Sequence, residues 1–512
     1  MKRIKITGII MILILSFIPQ LCQADDWDIT AGTLFNFDTE PVDESVLAKI
    51  DDTHFLCVYA TNTYWMPPTV NAVAAILTVD TATGTITREN DPFIFDYEWG
   101  LNPAISKIDN SHYLCTFSGL DGVGKSVVLT VDLDTWVITT ETFFVFETDQ
   151  ACYPVLSKID DSVPGIDFYL CAYSYWNAEG AGKSVVLTVD TSTWTIDMIA
   201  PFEFQSSPIE TPTLSKIDDN HFLCAYVYET PTWDYFGRAV VLTVDTDTWT
   251  INQETPFDFE ENYTWQPALS KIDENHYLCA YAYETPTWDM FGKSVVLTVD
   301  TDTWTINQEI PFDSGMEIAS PSLSKLDDEH YLSAFALGSW EPVGASIVLN
   351  IDNDTWEITQ VSDLIFDPTT MRGSSPYLSQ IDDRNYLCTY NTLPGGPEGW
   401  SVILNVEFPP VGIDDNQIVS HVADLSNNYP NPFNPETTIN YQLPENSRVE
   451  LSVFNLKGQK VKTLINETLE SGNHTVIWNG TDNNDKSVSS GIYFYKMKTD
   501  NHEETKKMIL MK

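Results

Sequence analysis

One stretch constrains this chain more than any other. From Pro267 to Asn307 it reads P-A-L-S-K-I-D-E-N-H-Y-L-C-A-Y, then a loop E-T-P-T-W-D-M-F-G, then K-S-V-V-L-T-V-D-T-D-T-W-T-I-N. The Ser-Lys-Ile-Asp signature in it starts again at Ser106, Ser157 and Ser215, with variants at Ala48, Ser324 and Ser379. That makes seven copies at a spacing of roughly 55 residues, a period typical of supersecondary units that bury their faces on their neighbours. Each copy holds four short runs rich in Val, Ile, Thr, Tyr and Trp, separated by Asp/Asn/Thr turns, as four half-buried strands require. The strands are named a (L-S-K-I), b (H-Y-L-C-A-Y), c (S-V-V-L-T-V) and d (W-T-I). Strand c is apolar almost throughout, which fits a strand covered on both faces.

The ends of the array decide between an open stack and a ring. The seventh copy has strand c at Ser401–Val406 and then runs into Glu407-Phe408-Pro409-Pro410, with no strand d. The missing piece lies at the other end, where Trp27 to Asp38 aligns without gaps on Trp249 to Glu260. An N-terminal strand that completes the last unit closes a ring and covers its edges. The expected architecture is all-β: a seven-bladed β-propeller over residues 25–408, closed by an N-terminal strand and followed by a small Ig-like β-sandwich. Before it, Met1 to Ala24 has the basic end, the apolar run Ile9–Ile18 and the small-residue site of a secretory signal.

Charge narrows the partners. Residues 25–424 hold 13 basic against 64 acidic side chains, within a whole-chain net charge of −48. Such a surface repels nucleic acid and anionic lipid and suits neutral glycans, cationic groups or calcium. Six cysteines (Cys57, Cys115, Cys171, Cys224, Cys279, Cys388) share one position in strand b, and Cys152 stands apart in a loop. Equivalent strand-b positions on adjacent blades would lie about 10 Å apart, too far for a disulfide, so they read as buried thiols. His54, His112, His221, His276 and His330 start strand b three residues after the signature Asp. A catalytic group seldom repeats five times, so they are expected to tie the a–b turns. No cofactor is expected, with calcium the one ion considered, and the chain is expected to act as a monomer.

The Asp-Thr-Asp-Thr-Trp turns (245–249 and 300–304, with variants at 132–136, 190–194 and 352–356) are similar to the Asp-box turns of sialidase-type propellers, without their usual Gly. The resemblance implies a structural role, with carboxylates accepting turn N–H bonds and Trp packing between blades. Sialidase chemistry would need an arginine triad, and only Arg88, Arg238, Arg372 and Arg384 are present in residues 25–424. The long b–c connections carry Trp65, Trp176, Trp233, Trp288, Trp340 and Trp400, with interleaved acids such as Glu229, Asp234 and Glu284. Two readings stand for these rings: a glycan-stacking face, or seals between blades. No Ser/His/Asp set, phosphate-binding Gly loop or zinc motif appears. A non-enzymatic module binding a glycan or a surface protein is therefore expected. The alternatives are a polysaccharide-degrading hydrolase or lyase with carboxylates at the ring mouth, and a structural surface component.

After a Pro-rich linker at 409–424, residues 425–512 change character: ten basic residues balance ten acidic ones. Short alternating strands suggest a sandwich. Asn428-Tyr429-Pro430-Asn431-Pro432-Phe433-Asn434-Pro435, the turn at Gly458, Gly472 leading to Trp478 and Gly480, Gly491-Ile492-Tyr493, and the closing Lys506-Lys507-Met508 resemble the type A sorting domain of the type IX secretion system. The resemblance covers the last 88 residues. It departs at Asn484-Asp485-Lys486, where the family usually has a Gly before the basic residue. It implies recognition by the type IX machinery and delivery to the surface or the medium of a Bacteroidetes-like bacterium.

Overall fold

The computed structural model describes residues 27–63, 69–98, 100–159, 163–176, 180–285, 290–338, 342–369, 372–392, 398–407, 424–425, 428, 431, 433–443, 447–455, 457–469, 472–483, 486–499 and 503–510. The expected signal segment and nearly all of the expected linker lie outside them. The chain divides into two compact units, Met1–Pro410 and Val411–Lys512.

The first unit contains seven antiparallel sheets, one per repeat, and they form the propeller blades. Blade 4 is representative: strand a Ile209–Lys216, b His221–Glu229, c Tyr235–Asp245, and an outer strand d in two pieces, Thr250–Gln253 and Phe257–Glu260, both paired to c. Thr255-Pro256 lies in the break, where a proline cannot donate to the ladder. In blade 7 the outer strand is Asp28–Ala31 with Phe35–Asp38, paired to Gly399–Glu407; Ile29 faces Val406 and Ala31 faces Leu404. The ring is closed by the N-terminal segment, as the alignment of the ends requires.

The apolar core is distributed between blades. Each of the seven seams has its own cluster; the one between blades 3 and 4 joins Phe168, Leu170 and Val186 to Phe222, Val240 and Leu242. Strand c is buried on both faces: Val240, Val241 and Leu242 are all fully buried, each worth roughly 1.5–3 kcal/mol of removal from water. The strand-b cysteines are buried free thiols in these seams, and burial pushes their ionisation far up.

The turns at one end of the ring explain the repeated polar residues. Asp218 Oδ1 accepts from the N–H groups of Asn220 and His221 at 2.9 Å each, and His221 Nδ1 lies 2.8 Å from the same oxygen. The c–d turn repeats the device: Asp245 Oδ1 accepts from Asp247 and Thr248 N–H at 2.9 and 3.0 Å, as a short acceptor side chain does in a tight turn. Trp304 closes the equivalent turn of blade 5 and stacks on His221 of blade 4 with centroids 3.6 Å apart. The same ring-on-ring contact joins His54 to Trp136, His112 to Trp194 and His276 to Trp356, and Trp27 of the closing strand to His330. In blade 3 Phe168 replaces His and stacks on Trp249 at 4.1 Å.

The seam between blades 7 and 1 is built differently. Asn385 stands in the His position and Gly84 in the Trp position. Gly84, in the left-handed region at φ +66°, accepts at its carbonyl from Thr33 N–H at 3.0 Å. A Cβ on Gly32 would meet that carbonyl oxygen at 2.6 Å. Two glycines here let backbone lie on backbone.

The second unit is a two-sheet sandwich. Asp424–Leu425, Thr437–Leu443 and Gly472–Trp478 form one sheet; Lys460–Leu469, Ser447–Asn455, Gly491–Lys498 and Glu503–Leu510 form the other. Trp478 is fully buried, 5.5 Å from Phe433 and 5.1 Å from Tyr493 between centroids. The Asn-Pro segment stitches the first strands to the last: Asn431 Oδ1 accepts from Ile509 N–H at 2.9 Å and Phe433 N–H donates to Ile509 O at 3.0 Å. Gly458 at φ +74° completes the turn that Asn455 Oδ1 caps by accepting from Lys457 and Gln459 N–H. Gly480 sits at φ +66° against the Pro435 carbonyl. Tyr429, Pro430 and Pro432 lie outside the described residues.

Candidate functional site

The seven inner strands surround a cavity of about 420 Å³ on the ring axis. Near the start of each strand a the ladder to strand b slips by a bulge, as between Glu210 and Thr213 in blade 4. In six blades the bulge is an X-Pro pair. The prolines remove N–H groups from the inner edge, which has no further strand to receive them. The residue before each proline is left-handed: Asn102, Tyr153, Thr211, Gln266, Ser320 and Ser375 have φ between +42° and +51°. Blade 1 places Glu44 and Ser45 at the equivalent positions. Glu44 and these six residues line the cavity, one side chain from each blade.

Every member of this set can make hydrogen bonds, and among the described residues no Lys or Arg lines the cavity. Asn102 Nδ2 donates to Glu44 Oε2 at 3.0 Å, and Ser320 Oγ donates to Gln266 Oε1 at 2.5 Å. Thr211 Oγ1 is buried with no hydrogen-bond partner among the described residues. Burial pushes the Glu44 carboxyl up from its ordinary value, with Asn102 working against it and Asp43 adding to it. Glu210, next to Thr211, is also raised by burial and by the Glu229 carboxylate.

The bulges lie at the end of strand a where the b–c connections emerge, so the cavity opens on the face those loops occupy. Beside it, Tyr235 and Tyr263 meet across blades 4 and 5 at 4.8 Å, and Trp265 lies 4.9 Å from Tyr263. Burial, Glu229 and Glu210 hold the Tyr235 hydroxyl up, at about 12. Trp233 stands at the tip of the blade 4 loop, 77% exposed at φ +68°. The loop is locked beneath it: Thr230 N–H donates to Asp234 O at 2.8 Å and Trp233 N–H to Thr230 O at 3.0 Å. Trp176 is half-exposed, and its Nε1 donates to Ile209 O of the next blade at 3.2 Å, so it also ties two blades. Trp400, expected on a loop, lies instead inside strand c of blade 7, opposite Tyr390 and Asn36 and packed on a seam cluster. There it occupies the position that Lys125, Lys183 and Arg238 hold in other blades. Trp65, Trp288 and Trp340 lie outside the described residues. Among the described residues no cluster of His, Cys, Asp and Glu has the geometry to hold a metal ion.

Residues 427–511 match the family model of the secretion system C-terminal sorting domain. The second unit is such a domain, of the type IX system. The sorting domain implies recognition by the type IX machinery and export to the surface or the medium of a Bacteroidetes cell. No curated protein matches the chain. Among solved structures, a fungal alcohol oxidase of the AA5 family, determined in complex with copper, aligns at 11% identity and TM-score 0.51, covering 94% of this chain and 99% of its own. A Dyadobacter fermentans protein of unknown function aligns at 11% identity and TM-score 0.46, covering 74% and 99%. PorZ, a surface component of the type IX secretion system of Porphyromonas gingivalis, aligns at 12% identity and TM-score 0.37, covering 89% of this chain and 58% of its own. At these identities the likeness is one of fold, and the sorting domain carries what is known of destination.

Proposed function

We propose that the exported propeller is a binding module for neutral glycan, and that it binds on the face where the b–c loops and the axial cavity open. The observation that carries this reading is the pairing of aromatic rings with carboxylates there. Trp233 is held out on a locked loop, and Tyr235, Tyr263 and Trp265 form a half-buried run beside Glu210 and Glu229. Sugar C–H faces pack on such rings, and hydroxyls donate to such acids. The acid excess over residues 25–424 argues against polyanions as ligands. Trp176 and Trp233 are assigned to this face; Trp400 serves the seam instead. A glycan array probed with the mature protein and with Trp233→Ala tests the reading. Binding that falls at least tenfold in the variant supports it, and no binding, or no loss, removes it.

A second reading has one observation in its favour. Glu44 and Glu210 are two carboxyl groups at the ring mouth whose surroundings favour the protonated form, a property of acid catalysts in glycoside cleavage. Release of new reducing ends from a polysaccharide panel, abolished by Glu44→Gln or Glu210→Gln, would replace the binding module with a hydrolase.

A further inference from the structure

The loop rings alone would suit a polymer lying across the face. The axial cavity points to something narrower. We propose that it holds the terminal residue of a neutral sugar chain, so that the propeller recognises chain ends. This inference rests on the glycan reading above and names the part of the glycan that is read.

The first argument is where the repeat stops repeating. Leu, Ser, Lys and Ile follow the bulge in blade after blade, and the proline itself recurs six times. The residue before it differs almost every time: Glu, Asn, Tyr, Thr, Gln, Ser, Ser. A position that served only to shape the bulge would be met by one small residue in every blade. Here seven copies of one structural position supply six kinds of polar side chain to a single point.

The second argument is the backbone. A residue before proline is biased toward extended conformations, and left-handed φ is costly for a β-branched residue such as Thr211. Six such residues in one ring, at roughly 1–3 kcal/mol each, are held by the blades around them. The result is a fixed set of side chains aimed at the axis.

The third argument is chemistry. The wall offers amide, hydroxyl and carboxyl groups, the phenol rings of Tyr153 and Tyr377, apolar surface from the six prolines, and no cation among the described residues. That set matches hydroxyl groups that donate and accept, with one flat apolar face, and it has nothing to neutralise a phosphate, sulfate or uronate. The cavity, at about 420 Å³, lies in the range of small-molecule sites, roughly 300–1,000 Å³. Strands wall it on every side, so a polymer reaches it only end-on.

The test uses the full mature protein and cello-, laminari-, manno- and xylo-oligosaccharides of two to six units. Each is supplied unmodified, with its non-reducing terminal residue O-methylated, and with its reducing end converted to the alditol. Binding is read by calorimetry. The expected result is that at least one series binds, that affinity levels off by two or three units, and that modifying one end weakens it tenfold or more. Tyr153→Ala and Gln266→Ala, two independent changes checked for an unaltered melt, should each cost a similar factor. Affinity that climbs with every added unit, ignores both end modifications and falls only in Trp233→Ala overturns end recognition and leaves the glycan reading standing. No binding in any series overturns both.

Discussion

The two ends of the propeller are made from the same seven repeats and obey opposite rules. At the turn end, blade after blade presents the same Asp, His and Trp, each engaged by a neighbour. At the loop end, the bulge residue changes from blade to blade, and Thr211 Oγ1 is left without a protein partner among the described residues. Constancy in a repeat marks what the fold needs to join one unit to the next. Departure from it, at a position whose left-handed backbone recurs in six of the seven blades, marks what the surroundings of the ring can use. Substitutions at the turn end should therefore cost stability, and substitutions at the loop end should cost binding.

The largest effect expected is on the closing strand. Removing Trp27–Asp38 takes away the whole outer edge of blade 7 and the ring that packs, tilted, on His330. The variant's propeller should melt far below that of the intact protein by circular dichroism; an unchanged melt would break the account of closure. Next, Trp304→Ala removes a ring stacked at 3.6 Å and packed on a seam core, and should cost about 2–3 kcal/mol in denaturant unfolding. Gly32→Ala drives a methyl into the Gly84 carbonyl at the one seam without a ring pair, at about 1–2 kcal/mol. At the loop end, Trp233→Ala should change stability by less than about 0.5 kcal/mol while abolishing glycan binding. A stability loss as large as that of Trp304→Ala would erase the contrast between the two ends.

The smallest effect sharpens the comparison through pH. Burial raises the Glu44 carboxyl, so the folded chain binds that proton more tightly than the unfolded chain does. Its charged form opposes folding above the folded value, and the penalty fades as pH falls toward 4.5. Glu44→Gln should therefore melt slightly higher than the parent at pH 7 and equally near pH 4. The turn end has the reverse sign. Burial opposes the charge of Asp218, but the N–H of Asn220 and the His221 ring outweigh it and hold the carboxyl low. That contribution is complete above the ordinary value of 3.8 and is lost as pH falls below it. Asp218→Asn should thus destabilise at pH 7 and lose its effect in strong acid, read by melts across the same range.

Much of this was legible in the residues. Seven signatures give seven blades, and the match of Trp27–Asp38 to Trp249–Glu260 gives the closure, because strand pairing follows alternation that survives in the sequence. The His and Asp spacing gives the tied turn, and the Asn-Pro segment gives the sorting domain. The axial set was written there too, as Asn102-Pro103, Tyr153-Pro154, Thr211-Pro212 and their kin. It is hard to see because the informative residue is the variable one beside a constant proline, and variation in a repeat reads as noise until a bulge turns all seven toward one point. Trp400 misleads for a related reason. Only the match of Gly399-Trp400-Ser401 to Gly292-Lys293-Ser294 reveals that it belongs to a strand. The Asn385 and Gly84 pair is visible as two unrelated oddities, and only proximity makes them one seam.

The pairing of Asp28–Ala31 with Leu404–Glu407 has a consequence for timing. Its two partners are separated by nearly the whole propeller, and contacts so distant along a chain form late. Until Glu407 has arrived, the first blade has no neighbour on one side and the last has no outer edge. Before closure the blades form only a row of sheets with a bare flank at each end. The pairing that finishes the last sheet also brings together the side chains of the central cavity, so the cavity exists only once the ring has closed.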